Sequence, residues 1–433
     1  MKTIAVGILG LGTVGSGVVR LLQENGPMIA ARVGAHLEVR RVARRRLGAP
    51  APVAVDPALL TADPMEVIRD PAIQVVVELI GGTDEARRYA LEALRAGKHL
   101  VTANKALLAV HGLEIYRMAA ERGLDLGFEA AVCGGIPIIR ALRDGLVANR
   151  IRSLLGIING TANYILTKMT EQGRPFAEVL AEAQAKGYAE ADPTLDVGGH
   201  DAAHKLQILA SIAYNTFIDL AAVPVEGIGG MDLSDIRYAR ELGYVVKLLA
   251  VAKAAEGELE VRVSPTLIPE DHLLASVRGV YNGVYLIADA AGPQMFYGRG
   301  AGQMPTASAV VSDIAEIAAN ILANRPSRRA PFPPPEDQRE LVLKPLEEIR
   351  TRYYLRVMVA DKPGVLSKVS GVLGTHNVSI ASVIQKARHE QEAVPIVMMT
   401  HEAREGDLRA ALAGIDRLGV VRAPSICLRV EEA

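Results

Sequence analysis

The stretch that decides the fold is Thr3-Ile4-Ala5-Val6-Gly7-Ile8-Leu9-Gly10-Leu11-Gly12-Thr13-Val14-Gly15. Residues 3–9 are apolar and strand-like, and residues 14–22 follow the glycines with a helical pattern. In the G-x-G-x-x-G turn the first glycine permits a tight bend. The second lets the backbone approach a pyrophosphate, and the third lets strand and helix pack closely. The helix N-terminus then offers unpaired N–H groups to phosphate. Gly10, Leu11, Gly12, Thr13, Val14 and Gly15 are therefore candidate cofactor contacts. A glycine-rich turn without a ligand is the plain alternative, and the flanking strand and helix weigh against it.

Outward from the loop, residues 37–43 read as a second strand and 75–80 as a continuous apolar strand of the buried, parallel kind. Gly81-Gly82 breaks it, a helix over 84–96 ends at Gly97, and strands follow at 99–102 and 125–131. Strands alternating with helices predict a doubly wound parallel sheet. Cofactor choice turns on the end of the second strand, where a carboxylate would hold a ribose 2′-OH. Here Ala43 is followed by Arg44, Arg45 and Arg46, whose guanidiniums suit a 2′-phosphate. Arg44 and Arg45 are thus candidate contacts and NADP(H) is favoured, with NAD(H) still open. A solvated basic loop is the competing reading for any one arginine.

The middle third changes character. Residues 138–146, 162–169 and 176–186 read as helices, 151–158 as a strand, and 201–214 as a long amphipathic helix. Strand-like pieces at 260–268 and 280–289 suggest an antiparallel or mixed sheet flanked by helices, a central α+β domain. Residues 325–337, RPSRRAPFPPPED, read as a linker. Beyond them, 353–359, 364–374, 379–386, 394–400, 407–413 and 419–430 spell βαββαβ, a ferredoxin-like unit. The expected domains are 1–132 for the dinucleotide and 133–325 for substrate and dimerisation, the last helix of the latter packing back on the former. A linker over 326–350 and the ferredoxin-like unit over 351–433 complete the chain.

Composition excludes several roles. With 48 Lys plus Arg against 49 Asp plus Glu among 433 residues, the net charge of −1 does not suit a nucleic-acid or membrane-surface protein. Cys133 and Cys427 are too few for a disulfide scaffold and fit a reducing cytoplasm. No run of 18 apolar residues occurs, and five glycines in the first 17 residues argue against a signal peptide.

Lysine is scarce beside arginine, so two lysines stand out. Lys105, closing Leu100-Val101-Thr102-Ala103-Asn104-Lys105, falls at the carboxyl end of a sheet strand, where open α/β sheets bind ligands. A surface loop lysine is the alternative. Lys205 shares a helical face with Ile208, Leu209 and Ile212, and Asp201 precedes it by one turn. An exposed i,i+4 pair contributes only about 0.3–0.5 kcal/mol. An ion pair at the start of a buried stripe is costly to desolvate, and a buried lysine beside a carboxylate can serve as general acid or base. The loop 187–196 brings Glu190, Asp192 and Asp196, which suit an ammonium group or are simply solvated. His200 and His204 imitate a zinc helix, but Asp201 is too short for the glutamate role and no third ligand follows at a sensible spacing.

The run Ala183-x3-Gly187-Tyr188-Ala189-x2-Asp192-Pro193-x2-Asp196-Val197-x-Gly199-x-Asp201-x3-Lys205 resembles the signature of homoserine dehydrogenases. So do GLGTVG, VTANKALLA around Lys105, FEAAVCGGIPII from Phe128, GIINGTANYILTKM from Gly156 and GRGAGQMPTASAVVSD from Gly298. The resemblance implies NAD(P)H-dependent reduction of L-aspartate 4-semialdehyde to L-homoserine. It makes Lys205 the acid/base residue and Lys105 a second essential lysine at the nicotinamide. Glu190 would bind the substrate amino group, Asp196 and Asp201 would orient the substrate and Lys205, and Asn159, Gly160 and Thr161 would join the substrate site. Gly302 would lie against the cofactor. Glu129, with the carbonyls of Val132, Gly134 and Ile136, matches a structural site for a monovalent cation, Na+ or K+.

The last unit, with Asp361-x-Pro363-Gly364-Val365-Leu366, resembles an ACT domain, an amino-acid-sensing module. It implies feedback by an end-product amino acid, with L-threonine favoured and Gly364, Asn377 and Ser379 as candidate contacts. A module used only for oligomerisation is the competing reading, and a homodimer or homotetramer is expected. Two wider alternatives stand beside the dehydrogenase: another NAD(P)-dependent semialdehyde or keto-acid reductase, and a non-catalytic amino-acid sensor on a dinucleotide-binding scaffold.

Overall fold

The N-terminal apolar run forms the strand Lys2–Leu9, buried from Ile4 onward, and the glycine turn opens the helix Thr13–Val33. This computed structural model describes residues 1–48, 53–325, 341–385 and 393–432. Packing divides them into two units, one of residues 1–151, 204–222 and 281–325, the other of 152–203, 223–280 and 341–432.

The first unit holds a six-stranded parallel sheet. Its order is Leu60–Thr61, Ala35–Ala43, Lys2–Leu9, Val75–Glu78, His99–Thr102, Leu126–Gly127. The order reverses beside Lys2–Leu9, so the glycine loop leaves the sheet at the switch point where such folds bind ligands. The expected strand over 125–131 shrinks to Leu126–Gly127 and gives way to a 3-10 turn at Glu129–Ala131. A Cβ on Gly127 would lie 2.6 Å from Asp313 Cβ, so the chain is pressed against the helix Gln303–Leu322 there. That helix also packs on Thr13–Val33, where a Cβ on Gly17 would sit 2.9 Å from Ala307 Cβ. Val18, Val19, Ala307, Val310, Ile314 and the strand residues Val6, Ile8, Val75 and Val77 share one core. An antiparallel hairpin, Tyr281–Ala288 with Gly292–Arg299, leads into the same helix.

The second unit is built on a mixed sheet. Ile151–Ile157, Tyr244–Ala255 and Glu258–Pro269 pair antiparallel in that order. The C-terminal module has the βαββαβ order, with Arg350–Ala360, Val365–Thr375, Ile380–Ile384, Ala393–Thr400, Glu405–Asp416 and Ile426–Val430. Its last strand pairs in parallel with Glu258–Pro269, Arg429 opposite Thr266 and Val430 opposite Leu267, so the two sheets are continuous. Buried polar contacts secure the junction. Asp235 accepts hydrogen bonds from Tyr354 OH at 2.8 Å and from Arg356 Nε and Nη2 at 2.6 and 2.8 Å. Glu431 pairs with Arg262, which is 1% exposed, and with Lys253. The expected linker is only partly outside the described residues (326–340). Its end is structured, because Val342–Leu343 pairs with Glu258 and Leu259.

The helix expected at 201–214 is His200–Tyr214. It is more deeply buried than an amphipathic surface helix, with every residue from Asp201 to Ser211 buried except His204. Its apolar stripe predicted one covered face, and its small residues Ala202, Ala203 and Ala210 allow others to be covered as well.

Candidate active site

The dinucleotide loop has the geometry its glycines require. Gly10 has φ +106°, and a Cβ there would lie 2.6 Å from the Leu79 carbonyl oxygen. A Cβ on Gly15 would lie 2.1 Å from the Gly10 carbonyl oxygen. A Cβ on Gly12 would meet open space, and this residue caps the helix Thr13–Val33, where first-turn N–H groups suit a phosphate. Leu11 is buried, Thr13 exposed and Val14 half-buried. Ser16 Oγ donates to the Gly12 carbonyl at 2.7 Å and accepts from Gln303 Nε2 at 3.0 Å, tying the loop to the helix Gln303–Leu322.

At the end of the second strand the Arg44 N–H donates to the Thr61 carbonyl at 2.9 Å. Arg45 pairs with Glu85 at 3.4 Å, and both side chains are well exposed.

Lys105 is the first residue of the helix Lys105–Glu121. Asn104 caps that helix, its Oδ1 accepting the Leu107 N–H at 3.1 Å and its Nδ2 donating to the Gly82 carbonyl at 2.7 Å. Beneath it, Thr102 Oγ1 donates to Glu78 Oε2 at 2.7 Å and accepts the Asn104 N–H at 3.0 Å. Glu78 is fully buried, and burial raises its pKa against the hydrogen bonds from Thr102 and the Ile80 amide. Glu78 is not among the residues expected at the site. The available signal was a carboxylate closing the otherwise apolar strand Val75–Glu78.

Gly302, φ +116°, caps the helix Gln303–Leu322. Two residues earlier, a Cβ on Gly300 would fall 1.1 Å from Asn282 Oδ1. The loop after Glu129 packs here, with the Gly135 N–H donating to the Arg299 carbonyl at 2.9 Å. Glu129, 3% exposed, accepts the Ile139 and Arg140 N–H groups at 2.8 and 2.9 Å, and its own amide donates to Asp313 Oδ2 at 2.9 Å. Burial raises the Glu129 pKa. Burial, and then the Glu129 charge, push Asp313 up to about 7. Val132, Gly134 and Ile136 are buried on the same loop. A carboxylate with nearby backbone carbonyls is an all-oxygen donor set suited to a hard cation, whose charge would favour ionisation of both acids. Both Glu129 carboxylate oxygens already accept the Ile139 and Arg140 N–H groups, and the Ile136 carbonyl accepts the Ile138 N–H at 2.8 Å. Among the described residues no group of three or more His, Cys, Asp or Glu side chains is placed to hold a metal ion.

In the second unit, Asn159 joins the carboxylates. It is 4% exposed, and its Nδ2 donates to Asp196 Oδ1 at 2.7 Å and to Asp201 Oδ2 at 2.8 Å. Its Oδ1 accepts the Ala162 N–H at 2.7 Å and so caps the helix Gly160–Gln172. A Cβ on Gly160 would lie 2.9 Å from the Val280 carbonyl oxygen. Thr161 Oγ1 donates to the Tyr188 carbonyl at 2.6 Å, and the Tyr188 ring meets Tyr164 edge-on at 5.1 Å. Glu190 stands between Tyr188 and the one-turn helix Thr194–Val197 that carries Asp196, with its side chain exposed. Lys205, four residues after Asp201 in the helix His200–Tyr214, belongs to the first unit and is only 9% exposed. The contact of Thr161 with Tyr188 was not anticipated, because it joins residues 27 apart in the chain.

In the C-terminal module, Gly364 caps one end of the helix Val365–Thr375, while Asn377, φ +58°, and Ser379 follow the other end. Eleven residues at about 1.5 Å each separate the two ends. The structure therefore does not bring these three residues together within one module.

Comparison with known proteins supplies the family. Residues 10–129 match the family model for the homoserine dehydrogenase NAD-binding domain, 137–315 that for homoserine dehydrogenase, and 353–419 that for the ACT domain. The chain is 47% identical to homoserine dehydrogenase of Pseudomonas aeruginosa, with 100% of both chains covered, and 41% identical to that of Bacillus subtilis, covering 100% and 99%. The crystal structure of a homoserine dehydrogenase from Thiobacillus denitrificans is similar with a TM-score of 0.92, at 45% identity over 100% of this chain and 99% of that one. A hyperthermophilic archaeal homoserine dehydrogenase in complex with NADPH has a TM-score of 0.62 at 26% identity, over 76% of this chain and 100% of that one. Fold, site and comparisons define an NAD(P)-dependent oxidoreductase that acts on a CH–OH group and carries a C-terminal ACT domain. The chain belongs to the homoserine dehydrogenase family.

Proposed function

We propose that the chain interconverts L-aspartate 4-semialdehyde and L-homoserine in threonine, methionine and isoleucine biosynthesis, with NADP(H) favoured over NAD(H). The observation that carries this reading is the pair of hydrogen bonds by which Asn159 ties Asp196 to Asp201, one helical turn before the buried Lys205. The bound cofactor supplies a hydride to the aldehyde carbon. Lys205 delivers the proton to the oxygen and stabilises negative charge developing there. Asp201 and Asp196 orient Lys205 and the substrate. Glu190 pairs with the substrate ammonium, while Gly160 and Thr161 shape the same site. Gly10–Gly15, Gly302 and Lys105 hold the cofactor, and Arg44 and Arg45 meet its 2′-phosphate. A monovalent cation at Glu129 and the carbonyls of Val132, Gly134 and Ile136 is structural in this reading.

The ACT domain takes an amino-acid effector, with L-threonine favoured. Because Gly364 and Asn377 stand at opposite ends of one helix, a site using both is formed where two modules meet in a homodimer or homotetramer. The expected compartment is the cytoplasm. Steady-state kinetics with homoserine and either NADP+ or NAD+ tests the reading. Homoserine is expected to be turned over with the lower KM for NADP+, and its inertness with both would sink the assignment. Lys205→Ala lowers turnover by at least about a hundred-fold while NADPH titration still shows binding. Titration of the activity with threonine, isoleucine and methionine decides the effector, and no response to any of them leaves the module an oligomerisation device.

A further inference from the structure

Within the second unit, the last strand of the C-terminal module reaches the stretch 194–199 through one carboxylate. Arg429, on the strand Ile426–Val430, is 4% exposed and holds two carboxylates at once. Its Nη1 and Nη2 donate to Glu226 Oε2 and Oε1 at 2.9 and 3.0 Å. Its Nε and Nη2 donate to Glu405 Oε2 and Oε1 at 2.9 and 2.6 Å. Arg409 Nη2 adds a third contact to Glu226, at 3.0 Å, and Tyr353 OH completes the group by donating to Glu405 at 2.9 Å. Two-pronged pairs of this kind are among the stronger charge-assisted contacts. Burial alone would raise the Glu226 carboxyl, yet Arg429 and Arg409 hold it below the usual range.

Arg429, Arg409, Glu405 and Tyr353 belong to the C-terminal module, and Glu226 does not. Its N–H donates to the Val263 carbonyl at 2.8 Å, and the Val263 N–H donates to the Pro224 carbonyl at 2.9 Å, which lays this segment along the strand Glu258–Pro269. Two residues on, the Ile228 N–H donates to the Val197 carbonyl at 2.8 Å. The approach is tight. A Cβ on Gly227 would lie 2.3 Å from that same oxygen, and one on Gly199 would lie 3.0 Å from Val225 Cγ1. Residues 225–228 thus press on residues 197–199 from one side. Asp196 lies immediately before that stretch and Asp201 two residues beyond it, and Asn159 joins the two.

The geometry points to Glu226 as a positioning residue: held by Arg429 and Arg409, it lets the C-terminal module set the stretch 194–199, the one-turn helix Thr194–Val197 and the glycines after it, and with it the affinity for the amino-acid substrate. The inference rests on the reading that Asp196 and Asp201 face that substrate. A pair that merely decorated the surface would contribute little and touch stability alone.

The test compares the full-length protein with its Glu226→Gln variant, which keeps the side-chain shape and removes the charge. Hydrogen exchange is expected to quicken in the amides of 194–199 and 224–230 and to stay unchanged over 10–33. Unchanged exchange at 194–199 overturns the proposal. In kinetics, KM for homoserine is expected to rise about ten-fold while KM for NADP+ stays nearly constant. An equal change in both KM values, or in neither, also overturns it. Arg409→Gln leaves the two-pronged Arg429 contact in place and should give a smaller rise in the same parameter. If the unaltered protein turns over no homoserine, the proposed function has failed, while the exchange result still decides the role of Glu226.

Discussion

Lys247 is buried at 2% exposure, with its ammonium donating to Asn163 Oδ1 at 3.2 Å and to the Val277 carbonyl at 2.5 Å. Burial, helped by the Arg278 charge and opposed by Glu171, pulls its pKa down to about 8. Unfolded, the lysine would titrate near 10.4. Between those values the unfolded chain binds more protons than the folded one, so this group's contribution to stability rises with pH, by at most about 1.4 kcal/mol per unit. Below about pH 8 both states are protonated and the desolvation cost is fully present. Lys247→Met should therefore flatten the stability–pH profile between pH 8 and 10 in urea unfolding, and a slope equal to that of the unaltered protein would contradict this. Gly300 shows the same dependence on context at the residue scale. It reads as one more glycine of a loop, yet the Asn282 side chain occupies the place of its Cβ.

Helices and strands were legible where local patterning dominates. The glycine loop, the strands at 75–78 and 99–102 and the first five elements of the C-terminal module fall close to where periodicity puts them, while its last strand, expected over 419–430, begins only at Ile426. Thr13–Val33 does not, because the helix expected over 14–22 runs on through Gly26 and Pro27 to Val33. Val18, Val19 and Leu22 before the proline and Ile29 and Ala30 after it are buried, and most belong to one core, which outweighs the lost backbone bond. Pro27 is exposed, so Pro27→Ala should restore a backbone donor without disturbing packing. A gain of about 1–3 kcal/mol is expected, seen as a higher Tm. A lower Tm would mean that the ring itself is needed. Among the candidate site residues, spacing singles out the loop glycines and Lys205. Glu78, Asn159 and Glu226 draw their parts from residues that the sequence places far away.

Strand order belongs to the whole molecule and could not be read from any single stretch. The parallel pairing of Ile426–Val430 with Glu258–Pro269 makes the C-terminal module part of the substrate domain's sheet. Ending the chain at residue 325 would remove that neighbour and also Val342–Leu343, exposing a strand edge. It would also strip the buried Arg262 of its Glu431 partner, and breaking such a buried pair from one side costs about 3–5 kcal/mol. The shortened chain is expected to aggregate, seen as rising light scattering on warming under conditions where the full-length protein stays clear. Equal stability of the two would show that the edge protects itself.

That pairing also bears on how the protein is made. The strand Glu258–Pro269 leaves the ribosome roughly 160 residues before the strand that covers it. At about 5–20 residues per second it waits for some ten to thirty seconds with one edge bare. The dinucleotide sheet draws its six strands from the first 127 residues and has no such wait. Synthesis of this chain thus separates its two halves in time: the nucleotide sheet can be complete while the substrate half, though already translated, still lacks the strand that finishes it.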